Sequence, residues 1–100
     1  MSFAVRTPAA EQDLQEIALF IAVEQARPLA AERVVENLVA KCNEYAAHPL
    51  IGEARPDLGL NIRCFPAQRW IVVYRPTSEG IEVMRILDAA RDYPALFDDR

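Results

Sequence analysis

RWIVVYRPTSEGIEVMRILDAARD, residues 69–92, is the stretch whose reading decides the fold. Val, Ile, Trp and Tyr crowd residues 70–75 and 81–87, and the spacer PTSEG places Pro and Gly between them. Strand-forming side chains around a turn-forming spacer predict a β-hairpin. WIVVY is almost continuously apolar, the composition of a central strand covered on at least one face. The second run is mixed, with Glu82 and Arg85 interrupting its aliphatic residues. A polar exit, AARD, then leads into an aromatic tail from Tyr93 to Phe97.

Upstream, Phe3 and Val5 alternate with Ala4 and Arg6, which predicts a short strand. Thr7-Pro8 then starts a helix, Thr7 as N-cap and Pro8 at a position whose missing N–H costs nothing. Glu11 and Asp13 put negative charge in its first turns, where the helix dipole favours it. Leu14, Ile17, Ala18 and Ile21 recur at helical spacing, opposite Gln12, Glu16 and Glu24. Arg27-Pro28 breaks this helix and Pro28 opens a second. Its apolar face is Ala31, Val34, Val35, Leu38, Cys42 and Tyr45, and it stops at His48-Pro49. So short a break predicts an antiparallel helical hairpin. Residues 50–59 read as a connector, 60–65 as a strand of period two, and Pro66-Ala67-Gln68 as the turn into the hairpin.

The expected fold is therefore α+β, in the order β-α-α-β-β-β plus a short C-terminal helix. The helical hairpin packs on one face of a small, mainly antiparallel sheet. One hundred residues are enough for one domain, 1–100, with its own core. At 52% hydrophobic and 26% charged residues, the chain falls outside the disordered class. No apolar run approaches the roughly 18 residues of a membrane helix. The N-terminus lacks the basic and apolar regions of a secretory signal. Cys42 and Cys64 lack metal-type spacing and read as reduced core thiols. A net charge of −4 and a pI near 4.9 disfavour direct binding to a nucleic-acid backbone.

Catalytic chemistry is sparse. The one histidine, His48, precedes a proline at a helix end, and the three glycines are scattered at 52, 59 and 80. One His and two distant Cys make no metal site, and no cofactor motif is present. These features describe a binding module. Six arginines, Arg55, Arg63, Arg69, Arg75, Arg85 and Arg91, gather on the sheet half with Phe65, Trp70, Tyr74 and Tyr93. They either meet an acidic partner or a nucleic-acid strand, or pair with the chain's own carboxylates.

Several of these motifs, in this order, resemble the ParE/RelE superfamily of bacterial toxins. They are A-x-x-D-L-x-x-I (Ala10, Asp13, Leu14, Ile17), H-P-x-x-G (His48, Pro49, Gly52), V-V-Y (Val72, Val73, Tyr74) and I-x-V-x-R-I-L-D-A-A-R-D from Ile81 to Asp92. The ARD exit resembles the ParE branch. That resemblance implies a cytoplasmic toxin of a type II toxin–antitoxin system that inhibits DNA gyrase by stabilising its cleaved DNA complex. It implies no catalytic residues, no cofactor and no metal, and neutralisation by a ParD-like antitoxin. RelE-type members are ribosome-dependent mRNA endonucleases instead. Aligned on Tyr74, their central-strand arginine falls at Ile71 and their terminal tyrosine near Phe97, leaving Arg91 as the clear match. The alternatives are thus such an endonuclease or a non-toxic antitoxin-binding remnant. Candidate contacts to the target are Arg69, Trp70, Arg91, Tyr93, Leu96 and Phe97, with arginine and aromatic anchors. Candidate contacts to the antitoxin are Leu14, Ile17, Ile21, Val34, Leu38 and Tyr45, along the groove between helices and sheet.

Overall fold

A computed structural model describes residues 2–90. Its elements are β1 (Phe3–Arg6), α1 (Pro8–Leu19), a π-helical turn (Phe20–Glu24), α2 (Pro28–Ala47), β2 (Glu53–Ala54), β3 (Arg63–Ala67), β4 (Trp70–Thr77) and β5 (Gly80–Asp88). The strands form one sheet in the order β1-β5-β4-β3-β2, in which β1 runs parallel to β5 and every other pair is antiparallel. Both helices lie on one face, so the expected α+β architecture holds. The terminal helix expected from the sequence lies outside the described residues.

The hairpin is longer and tighter than its composition indicates. β4 continues through Pro76 and Thr77 and β5 begins at Gly80, leaving Ser78-Glu79 as the whole loop. Pro76 is tolerated because β3 ends opposite Tyr74, so no neighbouring strand needs its N–H. Gly80 sits at φ +141°, and a Cβ there would run into the Phe3 backbone where β1 packs alongside. The same correction applies one strand earlier. Asn61 at φ +61° breaks the expected strand of residues 60–65, and β3 instead spans residues 63–67 with Pro66 inside it. Pro66 lies beyond the reach of β2, which pairs only with Arg63 and Cys64, and so occupies an open edge. The tight turn falls at Gln68-Arg69, with Gln68 at φ +57°. β2 lies within the stretch read as a connector; two residues are too short to leave a periodic signal.

Thr7 caps α1 as expected and also ties it to the sheet. Its Oγ1 accepts from the Ala10 N–H at 3.1 Å and donates to the Met84 carbonyl at 2.8 Å. The main core lies between the layers, built on Leu14, Ile21 and Leu38 from the helices and Phe65, Val72, Tyr74 and Ile81 from the sheet. Tyr45 stacks on Phe65 with ring centroids 3.8 Å apart. The Tyr74 hydroxyl donates to the Pro49 carbonyl at 2.7 Å and accepts from the Gly52 N–H at 3.0 Å. Gly52 is required there, because a Cβ would collide with the Tyr74 ring. A smaller cluster on the far face, Ile62, Cys64, Val73 and Leu87, is partly roofed by Leu58 of the connector.

One sequence assignment changes character. Asp13 is not dipole-facing surface charge; it is buried, turned inward beside Leu14, and bonded to β5. The helical period that places Leu14 and Ile17 on the sheet carries Asp13 to the edge of the same face.

Candidate functional site

Two open concavities flank the C-terminal half of α1. The first is a groove of about 390 Å³ between that helix and the ends of β4 and β5, walled by Ile17, Phe20, Trp70 and Leu87. Its polar groups are organised by two ion pairs. Asp13 takes Arg85 in a bidentate grip, Nε to Oδ2 at 2.7 Å and Nη2 to Oδ1 at 3.0 Å. The same carboxylate accepts the Ile86 N–H at 2.9 Å, so one side chain binds α1 to both the side chain and the backbone of β5. The Asp13 carboxylate accordingly holds the Arg85 pKa above its ordinary value. At the groove mouth Arg69 Nη2 meets Asp88 Oδ2 at 2.7 Å, and the Arg69 guanidinium lies 5.7 Å from the centre of the Trp70 ring. Asp88 Oδ1 also accepts the Ala90 N–H, which fixes the chain leaving β5.

The second concavity is a shallow trough of about 650 Å³ on the outward side of the helical hairpin. Ala18, Leu19, Ala22, Ala31 and Val35 line it, with Glu32 and Glu36 on its rim. Next to it the backbone loosens into the π-helical turn, where Gln25 N–H reaches the Phe20 carbonyl at 3.1 Å. The extra residue keeps Ile21 in the core and leaves Leu19 64%, Phe20 42% and Val23 66% exposed. π-turns within helices are enriched at functional sites.

The residues predicted from sequence divide between these places. Arg69 is half exposed at the groove mouth, and Trp70 is buried with its ring packed into the main core. Arg91, Tyr93, Leu96 and Phe97 lie outside the described residues. Ile17 lines the groove. Val34 and Tyr45 are half-buried against the core, whereas Leu14, Ile21 and Leu38 are core residues that hold the layers together. Of the arginine cluster, each described member has a partner within the chain. Arg55 pairs with Asp57, Arg69 with Asp88, Arg75 with Glu82 and Arg85 with Asp13, while Arg63 donates to the Leu50 and Gly52 carbonyls. Two features escaped the sequence reading. The Asp13–Arg85 clasp had one available signal, a carboxylate on the edge of an apolar stripe matched by a lone arginine inside a strand. The exposed run Leu19, Phe20 and Val23 was hidden because an α-helical period does not anticipate a π-turn.

His48 is an exposed C-cap residue. Cys42 and Cys64 are free and buried on opposite faces of the sheet. Burial pushes the Cys42 thiol up to about 11 and raises Cys64 as well. Among the described residues no group of His, Cys, Asp and Glu is arranged to hold a metal ion, and no helix is long and apolar enough to cross a membrane.

Comparison with known proteins gives this arrangement a family. The chain is 25% identical over 95 residues to Toxin ParE3 of Caulobacter vibrioides, covering 95% of this chain and 94% of that protein. Its fold superposes on a chain of the chromosomal ParDE TA system from P. aeruginosa with a TM-score of 0.70. That match has 20% identity and spans 88% of this chain and 96% of the other. The family described as ParE toxin of type II toxin-antitoxin system, parDE, matches residues 5–93. The chain belongs to the ParE toxin family of type II toxin–antitoxin systems.

Proposed function

We propose that this protein arrests growth by binding DNA gyrase and stabilising its cleaved DNA complex, without catalysis of its own, and that a ParD-like antitoxin neutralises it. Family membership across residues 5–93 is the observation that carries this reading. The groove chemistry supports it. Both groove arginines are already held by carboxylates, Arg85 by Asp13 and Arg69 by Asp88. RNA cleavage needs proton-transfer groups and free positive charge at the scissile phosphate, and this groove is organised for neither. Ile71, aligned with the central-strand arginine of ribonuclease relatives, packs into the apolar cluster on the far face. Arg69, beside the Trp70 ring, is the described residue best placed as a contact to the target.

Plasmid supercoiling by purified gyrase with ATP tests the reading. Inhibition with accumulated linear DNA, relieved by the antitoxin, is expected. Unchanged supercoiling combined with transcript cleavage in arrested cells would transfer the activity to RNA.

A further inference from the structure

The sheet ends differently at its two edges. On one side β2 is two residues long and Pro66 stands on the open part of β3, features that discourage a further strand. On the other side lies β1, with no described strand beyond it. The Phe3 N–H donates to the Glu79 carbonyl at 2.7 Å and the Thr7 N–H to the Val83 carbonyl at 3.0 Å. Along an extended strand the N–H and C=O of one residue share a side and alternate with those of the next. Phe3, Val5 and Thr7 therefore face β5, while Ala4 and Arg6 turn theirs outward, where no described group hydrogen-bonds to them. Ala4 packs its side chain against the main core, so Phe3 and Val5 point to the far face, where they are 48% and 58% exposed. β1 contains no proline, lysine or bulge to protect this edge.

We infer that this edge pairs with β1 of a second copy of the chain, antiparallel, about a twofold axis at Ala4. In that register Ala4 meets Ala4 across the axis and Arg6 meets Ser2, so the outward N–H and C=O groups satisfy one another. The same register sets Phe3 of each copy opposite Val5 of the other, an aromatic against a β-branched side chain on the far face. Moving the axis to Val5 would set Phe3 against Thr7 and lose that match. The flanking charges are already held within each copy, Arg6 by Glu11, and Glu82, beside Val5 in the ladder, by Arg75. These charges offer a charged strand nothing to pair with, and two copies meet there without repulsion. The groove beside Trp70 lies at the opposite end of β5 and stays open. Neither gyrase nor antitoxin enters this pairing. So short a strand buries less than a standard interface, which makes the dimer weak and concentration-dependent.

Sedimentation equilibrium of the purified protein, from about 10 μM to about 1 mM, reads the association. The dimer fraction is expected to rise across that range, and to rise further with salt, which screens the net charge of −4 on each copy. Amide exchange followed by NMR reads the register. The Ala4 and Arg6 N–H groups should gain about threefold protection or more between the ends of the range, while those of Phe3 and Val5 are protected throughout. Val5→Lys, at an exposed position, removes both cross-strand pairs through the twofold and should weaken association at least about tenfold. Leu19→Glu, on the helical hairpin, should leave it unchanged. A monomer at the top of the range, a dimer that Leu19→Glu dissociates and Val5→Lys preserves, or Ala4 and Arg6 amides that stay unprotected as the dimer forms would overturn the assignment. So would protection of those amides that appears only when antitoxin is added to the monomer, which would give the edge to an antitoxin strand.

Discussion

The two layers of this protein handle charge in opposite ways. On the sheet every described arginine of the predicted cluster is matched: Arg85 to Asp13, Arg75 to Glu82, Arg69 to Asp88, Arg55 to Asp57, and Arg63 to two carbonyls. On the helices the carboxylates outnumber their partners, and those at Glu32 and Glu36 border exposed apolar residues. Matched charge serves the fold: Asp13–Arg85 ties α1 to β5 and Arg75–Glu82 ties β4 to β5, while Arg55–Asp57 braces the loop before β3. Glu32 and Glu36, by contrast, make no ion pair among the described residues and line the apolar trough. A count of arginines in the sequence points to the sheet as the charged interface; the pairing reverses that emphasis.

The largest effect that would break the contrast lies in the core beneath both layers. Phe65→Ala removes the ring stacked on Tyr45 and should cost about 3–5 kcal/mol in urea unfolding, with loss of every binding function together. Asp13→Ala comes next. It strands the Arg85 guanidinium and the Ile86 N–H, and about 2–3 kcal/mol of stability should go with it. Asp13→Asn keeps an acceptor for that N–H and should lose less.

A pH titration tests the buried thiol with a comparable magnitude. The Cys42 pKa is raised from 9.0 to about 11, so its contribution is complete below the unfolded value near pH 9 and is lost as pH rises through 11. About 2–3 kcal/mol should disappear across that window in urea melts at stepped pH. Cys64 and Tyr74 are shifted in the same direction and steepen the loss, and Cys42→Ala should flatten it.

The smallest stability effect is expected at the exposed Arg75–Glu82 pair, where Arg75→Ala should change unfolding by less than about 0.5 kcal/mol. Arg69→Ala should be nearly as mild in unfolding, since its pair with Asp88 is half exposed. It should nonetheless reduce gyrase inhibition. A variant that loses both equally would assign Arg69 to the fold alone.

Much of the fold could be read in advance because its signals are local. Thr7-Pro8 and Pro28 start helices for reasons contained within a turn of chain, and WIVVY announces a central strand by itself. The boundaries missed were those set by neighbours: Pro66 and Pro76 remain in strands only because the adjacent strand has already ended. Charge roles were less legible still. Asp13 and Arg85 are 72 residues apart, and a carboxylate near a helix N-terminus looks the same in sequence whether it faces water or a guanidinium. Similarly, Leu14, Ile21 and Leu38 share one apolar period with Ile17. The period identifies a face without saying which of its members the sheet has already consumed.

The parallel pairing of β1 with β5 has a consequence for synthesis. Within the sheet β1 pairs with β5 alone, from Phe3 against Gly80 to Arg6 against Val83, and Thr7 and Asp13 also wait for β5. A ribosome extends its chain at roughly 5–20 residues per second, so for several seconds the helical hairpin exists without its clasp. A nascent chain stopped short of residue 80 has no partner strand for β1 and no wall of β5 residues for the groove. Any function that depends on that groove therefore waits until β5 has been made. Messages cut within the gene yield fragments that cannot assemble the surface.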